Sequence, residues 1–309
     1  MSSPICTFEL TRKFRHADAV DHLNFQVPEG SIFALVGPNG AGKTTTIKML
    51  MNIIRPSAGR SEVLGINSRR LAPAQFAQIG YVSENQEMPE WMTVADFLHF
   101  LRPYYPAWDG VLAEELVRQF ELPARRRLKH LSRGMRMKAA LASSLAYRPK
   151  LIVLDEPFTG LDALVRDELI EGLLARAEGT TILIASHDLA EIESFASHIG
   201  YLDAGRLRFS EELDSLSARF REVVLTFDTP PEVPCALPAR WLRAEASGPV
   251  VRLVDTQFNS DGAAEALRSV FPDYREMTVT GMPLRAIFVA LAKAGRGSAA
   301  GAFACQPEN

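Results

Sequence analysis

Two hydrophobic rhythms alternate along the first two thirds of the chain. Short runs that are apolar apart from an opening Ser31 or Thr181 stand at Ser31–Val36, Leu151–Leu154 and Thr181–Ala185. Between them apolar residues recur at three- and four-residue spacing. Thr44–Asn52, with Ile47, Leu50 and Met51 apolar, predicts a helix directly after the first run, and Leu112–Phe120 and Arg133–Tyr147 predict two more. Strands without polar alternation are buried on both faces, so the order predicts a largely parallel sheet covered by helices.

The rhythm changes near residue 215. Pro230, Pro231, Pro234 and Pro238 crowd one segment and exclude a regular element there. Val223–Phe227 and Val250–Val254 read as strands, and Ala263–Phe271 and Leu284–Ala294 as helices. The expected organisation is a first domain over 1–218, a small α+β accessory domain over 219–294, and a Gly-, Ala- and Ser-rich tail, 295–309, expected to be disordered. The accessory domain carries no nameable chemistry; packing or dimerisation is the simpler reading, regulation the other.

Composition narrows the field. The 309 residues are 47% hydrophobic, which excludes disorder over most of the chain. Lys and Arg number 34 against 37 Asp and Glu, a net charge of −3, so the overall field does not favour nucleic acid. Cys6, Cys235 and Cys305 are scattered and odd in number, and neither a disulfide framework nor a zinc pattern can be drawn from them. His16, His22, His99, His130 and His198 have no metal-binding spacing. Met1–Leu10 lacks the features of a secretory signal, and no run approaches the roughly 20 apolar residues that cross a bilayer. Any work at a membrane is expected to pass through a separate subunit.

Gly37, Pro38, Asn39, Gly40, Ala41, Gly42, Lys43 and Thr44 fit G-x-x-x-x-G-K-[ST], between a predicted strand and a predicted helix. Glycines let the backbone turn its N–H groups onto phosphate oxygens, and the helix presents its positive end to the same anion. Lys43 is a point charge for the outer phosphates, and the Thr44 hydroxyl, with Thr45 beside it, suits a bound Mg²⁺. The motif alone says only that a nucleoside triphosphate binds.

Leu151–Leu154 ends in Asp155 and Glu156. Ligands of open parallel sheets lie at the carboxyl ends of strands. Asp155 is then a metal-holding acid and Glu156 a base for an attacking water.

Leu131-Ser132-Arg133-Gly134-Met135 opens the helix before that strand. It resembles the LSGGQ signature of the ATP-binding cassette (ABC) family. Other family segments follow in order: Phe14 at the adenine-stacking aromatic, Ile79–Glu84 leading into the Q-loop, Thr159–Asp162 at the D-loop, and Ser186-His187 at the switch histidine. The resemblance covers about residues 5–215. It departs from the family at Phe14 for Tyr, Arg133 for Gly and Met135 for Gln. Glu84 stands at the usual Q-loop Gln, with Gln86 two residues on, and either could serve.

The resemblance implies an α/β P-loop NTPase cassette with a largely parallel core sheet, an antiparallel β-subdomain and a helical subdomain over about 88–148. It implies ATP and Mg²⁺ as cofactors. Glu156, His187 and Lys43 would be catalytic; Thr44, Asp155 and Glu84 would face the metal; Phe14 would stack on adenine. Two cassettes would pair head to tail as a homodimer, with Ser132 and Gly134 of one copy meeting the γ-phosphate held by the other and Asp162 at the seam. The implied function is the ATP-hydrolysing subunit of a transporter, an exporter, with a separate integral-membrane permease, peripheral on the cytoplasmic side of the inner membrane.

The alternative is a soluble ABC ATPase acting on ribosomes or DNA. Translation members carry two cassettes per chain and chromosome members a long coiled coil, neither of which this chain has. No N-K-x-D supports a GTPase. Met88, Trp91, Phe97, Phe100, Tyr104, Tyr105 and Trp108 form an aromatic stretch that is core or permease dock. Arg125, Arg126, Arg127, Lys129, Arg133, Arg136 and Lys138 read first as a solvated helical face, and second as contacts to anionic head groups or an acidic loop.

Overall fold

The computed structural model describes residues 3–15, 17–177, 179–234 and 237–291. His16, Cys235, Cys305, the end of the helix expected to reach residue 294, and the 295–309 tail lie outside the described residues.

Six strands form the main sheet, in the order Arg206–Glu212, His198–Asp203, Ile32–Val36, Thr181–Ser186, Leu151–Asp155, Ile79–Ser83. The four pairings from His198–Asp203 across to Ile79–Ser83 are parallel. Every residue of Ile32–Val36, Leu151–Asp155 and Thr181–Ser186 is buried, which is why these strands lack polar alternation. Ile32–Val36 is central, and its carboxyl end feeds the phosphate loop and the helix Lys43–Leu50.

A second, antiparallel sheet runs Ala17–Leu23, Ile5–Phe14, Ala58–Val63, Ile66–Asn67, with Gln26–Val27 also paired to Ile5–Phe14. Its strands were not individually legible in the sequence. Register shifts between Leu10 and Lys13 break the two-residue alternation that would have announced the longest of them. Ile5, Leu10, Val20 and Leu23 from this sheet share one core with Ile47, Leu50, Leu151 and Val153.

The helices Val94–Leu101, Gly110–Gln119 and Arg133–Leu145 make up the helical subdomain. Each is capped by a side chain, Thr93, Asp109 and Ser132, accepting from the third residue on. The aromatic stretch divides here. Phe97 is buried, and Tyr105 stacks on Tyr147 with ring centres 3.9 Å apart. Trp91 and Tyr104 are largely exposed. Lys138 departs from the expected solvated face: it is buried and ion-paired with Glu168.

The chain divides into two compact units after Glu211, ahead of the expected 218/219 boundary, so the helix Leu213–Arg219 belongs to the second unit. That unit holds an antiparallel sheet ordered Trp241–Ser247, Val250–Asp255, Arg221–Thr226, Glu276–Gly281. Val223, Leu225, Trp241, Val251 and Leu253 share its core with Leu267 and Phe271, at the end of helix Ala263–Val270. Among the described residues no helix is long and apolar enough to cross a membrane.

Candidate functional site

The phosphate loop joins the Ile32–Val36 strand to the Lys43–Leu50 helix. Gly42 lies at φ 106°, and a Cβ there would stand 2.3 Å from the Ala19 carbonyl oxygen, so only glycine fits. Lys43 is buried. Its Nζ donates to the carbonyls of Gly37 (2.7 Å) and Pro38 (3.3 Å) and lies 3.2 Å from Glu156 Oε1. A buried ammonium with this partner set is held ready for anionic oxygens.

Asp155 and Glu156 stand at the carboxyl end of Leu151–Asp155, one strand removed from Ile32–Val36 across Thr181–Ser186. Thr44 Oγ1 donates to Asp155 Oδ1 at 2.8 Å. Burial pushes the Asp155 carboxyl above the usual carboxylate range, and the Thr44 hydrogen bond works against that shift. Glu156 sits in the left-handed region at φ 54°, a strained position for a side-chain-bearing residue. Its Oε2 accepts from Thr159 Oγ1 at 3.1 Å and lies 2.7 Å from His187 Nδ1.

These groups face one open cavity of about 590 Å³. It gathers Asn39, Gly40, Ala41, Gly42, Lys43, Thr44, Thr45, Glu84, Glu156 and His187, and adds Ala19 and Thr159. Asp155 stands behind it through Thr44. Thr159 escaped notice as a site residue although it opens the Thr159–Asp162 motif.

Besides Asp155, six expected site residues lie outside this cavity's lining: Gly37 and Pro38, whose carbonyls accept from Lys43 Nζ, and Phe14, Ser132, Gly134 and Asp162. Phe14 is exposed on the antiparallel sheet, with the Arg12 guanidinium 4.5 Å over its ring. Ser132 caps its own helix, its Oγ accepting from Met135 N at 3.2 Å. Asp162 likewise caps the helix Ala163–Leu174, accepting from Val165 N at 2.9 Å. Gly134 is buried where a Cβ would meet Val165 Cγ1 at 2.8 Å.

Glu84 and Gln86 part company here. Glu84 lines the phosphate cavity, and its N–H donates to the Asp155 carbonyl at 2.9 Å. Gln86 lines only an adjoining groove. The Glu84 carboxylate is ion-paired with Arg133 Nη2 at 2.5 Å. Glu84 and Arg133 are both departures from the family pattern and opposite in charge, the one signal in the sequence that could have suggested their pairing.

The cradle fits a nucleotide with a hard cation. The loop leaves no room for side chains at Gly42, and the Thr44 hydroxyl and Asp155 carboxylate are oxygen donors of the kind Mg²⁺ prefers. Among the described residues no three His, Cys, Asp or Glu converge on a metal position. That suits an ion that takes its other ligands from phosphate and water.

Known proteins agree with this geometry. The family model described as ABC transporter matches residues 20–159. The chain is 30% identical over 223 residues to the ABC transporter ATP-binding protein YtrB of Bacillus subtilis, covering 72% of this chain and 76% of that protein. It is 32% identical over 226 residues to the bacitracin transport ATP-binding protein BcrA of Bacillus licheniformis, covering 72% and 74%. A solved ATP-binding subunit of an ABC transporter superposes with a TM-score of 0.64 at 27% identity, covering 70% of this chain and 92% of that one. Identity at this level, sustained over most of the relatives' own length, makes this chain a member of the ABC transporter ATP-binding protein family and an ATPase.

Proposed function

We propose that this chain powers export through a separate membrane-spanning permease, working as a head-to-tail pair of identical cassettes on the cytoplasmic side of the inner membrane. The observation that carries the reading is Glu156, whose two carboxylate oxygens reach Lys43 and His187 at the phosphate cavity. Glu156 acts as the base for the attacking water and His187 orients it and the γ-phosphate. Lys43 and the backbone N–H groups of the Gly37–Thr45 loop, Pro38 excepted, hold the phosphates, and Phe14 offers its exposed ring to adenine. Thr44, Asp155 and Glu84 would hold Mg²⁺, which neutralises charge on the transferring phosphoryl group.

Pairing is supported by what the cavity leaves out. Ser132 and Asp162 are exposed and lie outside the lining of their own chain's cavity. Ser132 stands at a helix N-terminus, which binds anions. A second copy supplies the γ-phosphate that Ser132 and the Gly134 N–H would meet, with Asp162 at the seam between the copies.

Coupling to the permease is supported by a groove of about 710 Å³ between the loop after Ile79–Ser83 and the signature helix. Met88, Leu131, Met137 and Ala140 give it an apolar floor, and Glu87, Glu90 and Arg136 a charged rim. A short amphipathic helix suits such a surface. Glu84 belongs to both groove and phosphate cavity, so an occupant of one is felt at the other.

The test is capture of partners. Tagged Glu156→Gln protein, holding Mg-ATP, is expected to bring down a polytopic membrane protein from gently solubilised native membranes. Recovery only with ribosomes, DNA or soluble proteins would overturn the transporter reading.

A further inference from the structure

Arg133 stands at the first position of the signature helix, immediately after the capping Ser132. A cation there faces the helix's own positive end and is unfavourable unless an anion lies beside it. In the isolated chain that anion is Glu84, 2.5 Å from Arg133 Nη2. The Glu84 backbone is tied to the Asp155 carbonyl, so the pair joins the signature helix to the rim of the phosphate cavity. The guanidinium also lies against Gly160, where a Cβ would be 2.8 Å from Arg133 Nη1. One guanidinium thus touches the Q-loop and the D-loop from the signature.

The pair is not buried: Arg133 is 49% exposed and Glu84 30%. Exposed ion pairs contribute little to stability, so this one is easily exchanged. The planar guanidinium matches a phosphate better than a lone carboxylate oxygen, since it can offer two parallel N–H donors.

We propose that Arg133 serves two anions in turn: the Glu84 carboxylate of its own chain while the cassette is alone, and the terminal phosphate of the nucleotide held by a second copy when two cassettes pair. Glu84 is then an internal stand-in for phosphate, and release of Arg133 frees its carboxylate at its own cavity. The inference rests on the pairing proposed above.

The experiment measures ATP-driven dimerisation by sedimentation velocity in the Glu156→Gln background, so that hydrolysis does not enter. R133Q is expected to weaken the ATP-bound dimer at least about tenfold, the size of a lost charge-assisted contact. R133K is expected to fall between R133Q and the parent, since it keeps the charge and loses the fork. E84Q, which removes the competing charge, is expected to tighten the dimer, and E84Q/R133Q to behave as R133Q does. Unchanged dimerisation of R133Q and R133K would overturn the proposal. So would recovery of dimerisation in E84Q/R133Q, because Arg133 would then act only by positioning Glu84. A parent that stays monomeric with saturating Mg-ATP would instead defeat the pairing itself. If R133Q fails to fold, as thermal melting would show, R133K carries the test.

Discussion

His187 Nδ1 stands 2.7 Å from Glu156 Oε2, while Lys43 Nζ lies 3.2 Å from the other oxygen of the same carboxylate. One side chain is thereby held between a buried cation and an imidazole, and the backbone at Glu156 adopts φ 54° to aim it there. Glu156→Gln keeps the shape and removes the base. Single-turnover hydrolysis is expected to fall by about 10²–10⁴, the usual span for a general base. Nucleotide binding, read by equilibrium titration, is expected to persist. Hydrolysis within a few-fold of the parent would move the base elsewhere.

Gly134 has a packing reason to be glycine that is independent of nucleotide. Its Cβ would press on Val165 Cγ1 at 2.8 Å. Gly134→Ala should therefore destabilise by about 1–3 kcal/mol through overpacking, against the roughly 1 kcal/mol that alanine gains in a helix. Urea unfolding measures this. Val165→Ala in the same chain should recover much of the loss, and a Gly134→Ala variant more stable than the parent would refute the contact.

Asp109 is among the contributors to acid sensitivity that lie outside the phosphate cavity's lining. Asp109 caps Gly110–Gln119 by accepting from Leu112 N at 3.0 Å, and Arg148 donates to its Oδ2 at 2.8 Å. The cap hydrogen bond and then the Arg148 contact hold its carboxyl below the usual range. A lowered native pKa means the unfolded chain takes up the proton first. The stabilisation is therefore present above the ordinary Asp range, about pH 3.9, and is lost as pH falls through the native value. Asp109→Asn should be less stable than the parent at neutral pH, and the two should converge in acid. Parallel stability–pH curves would show that Asp109 contributes nothing.

In the second unit the buried Asp255 accepts from Trp241 Nε1 at 3.0 Å and from Gln257 N at 2.9 Å. Trp241→Phe keeps an aromatic ring and removes one donor from a buried carboxylate. A loss of about 1–3 kcal/mol is expected, the penalty for an unsatisfied buried group. Thermal unfolding followed by amide hydrogen exchange in the second unit reads it; an unchanged transition would show that water or Arg240, 3.8 Å away, takes over.

Much of this molecule is written locally. The phosphate loop is one contiguous segment whose glycines, lysine and threonine are recognisable together by their spacing. Asp155 and Glu156 directly follow the run that forms their strand, and continuous apolarity at Ile32–Val36, Leu151–Leu154 and Thr181–Ala185 announces a sheet buried on both faces. These features survive in sequence because neighbours along the chain create them.

Tertiary structure decided what depends on distant partners. Glu84 and Arg133 meet across 49 residues, Tyr105 and Tyr147 stack between separate helical segments, and Lys138 is buried because Glu168 lies opposite. The antiparallel strands were hidden by bulges that shift side chains between faces. Glu84 rather than Gln86 lines the phosphate cavity because its N–H bonds the Asp155 carbonyl of a neighbouring strand. Residue type tells what a side chain can do; only the packing of elements far apart in sequence determines which partner it meets and whether water can reach it.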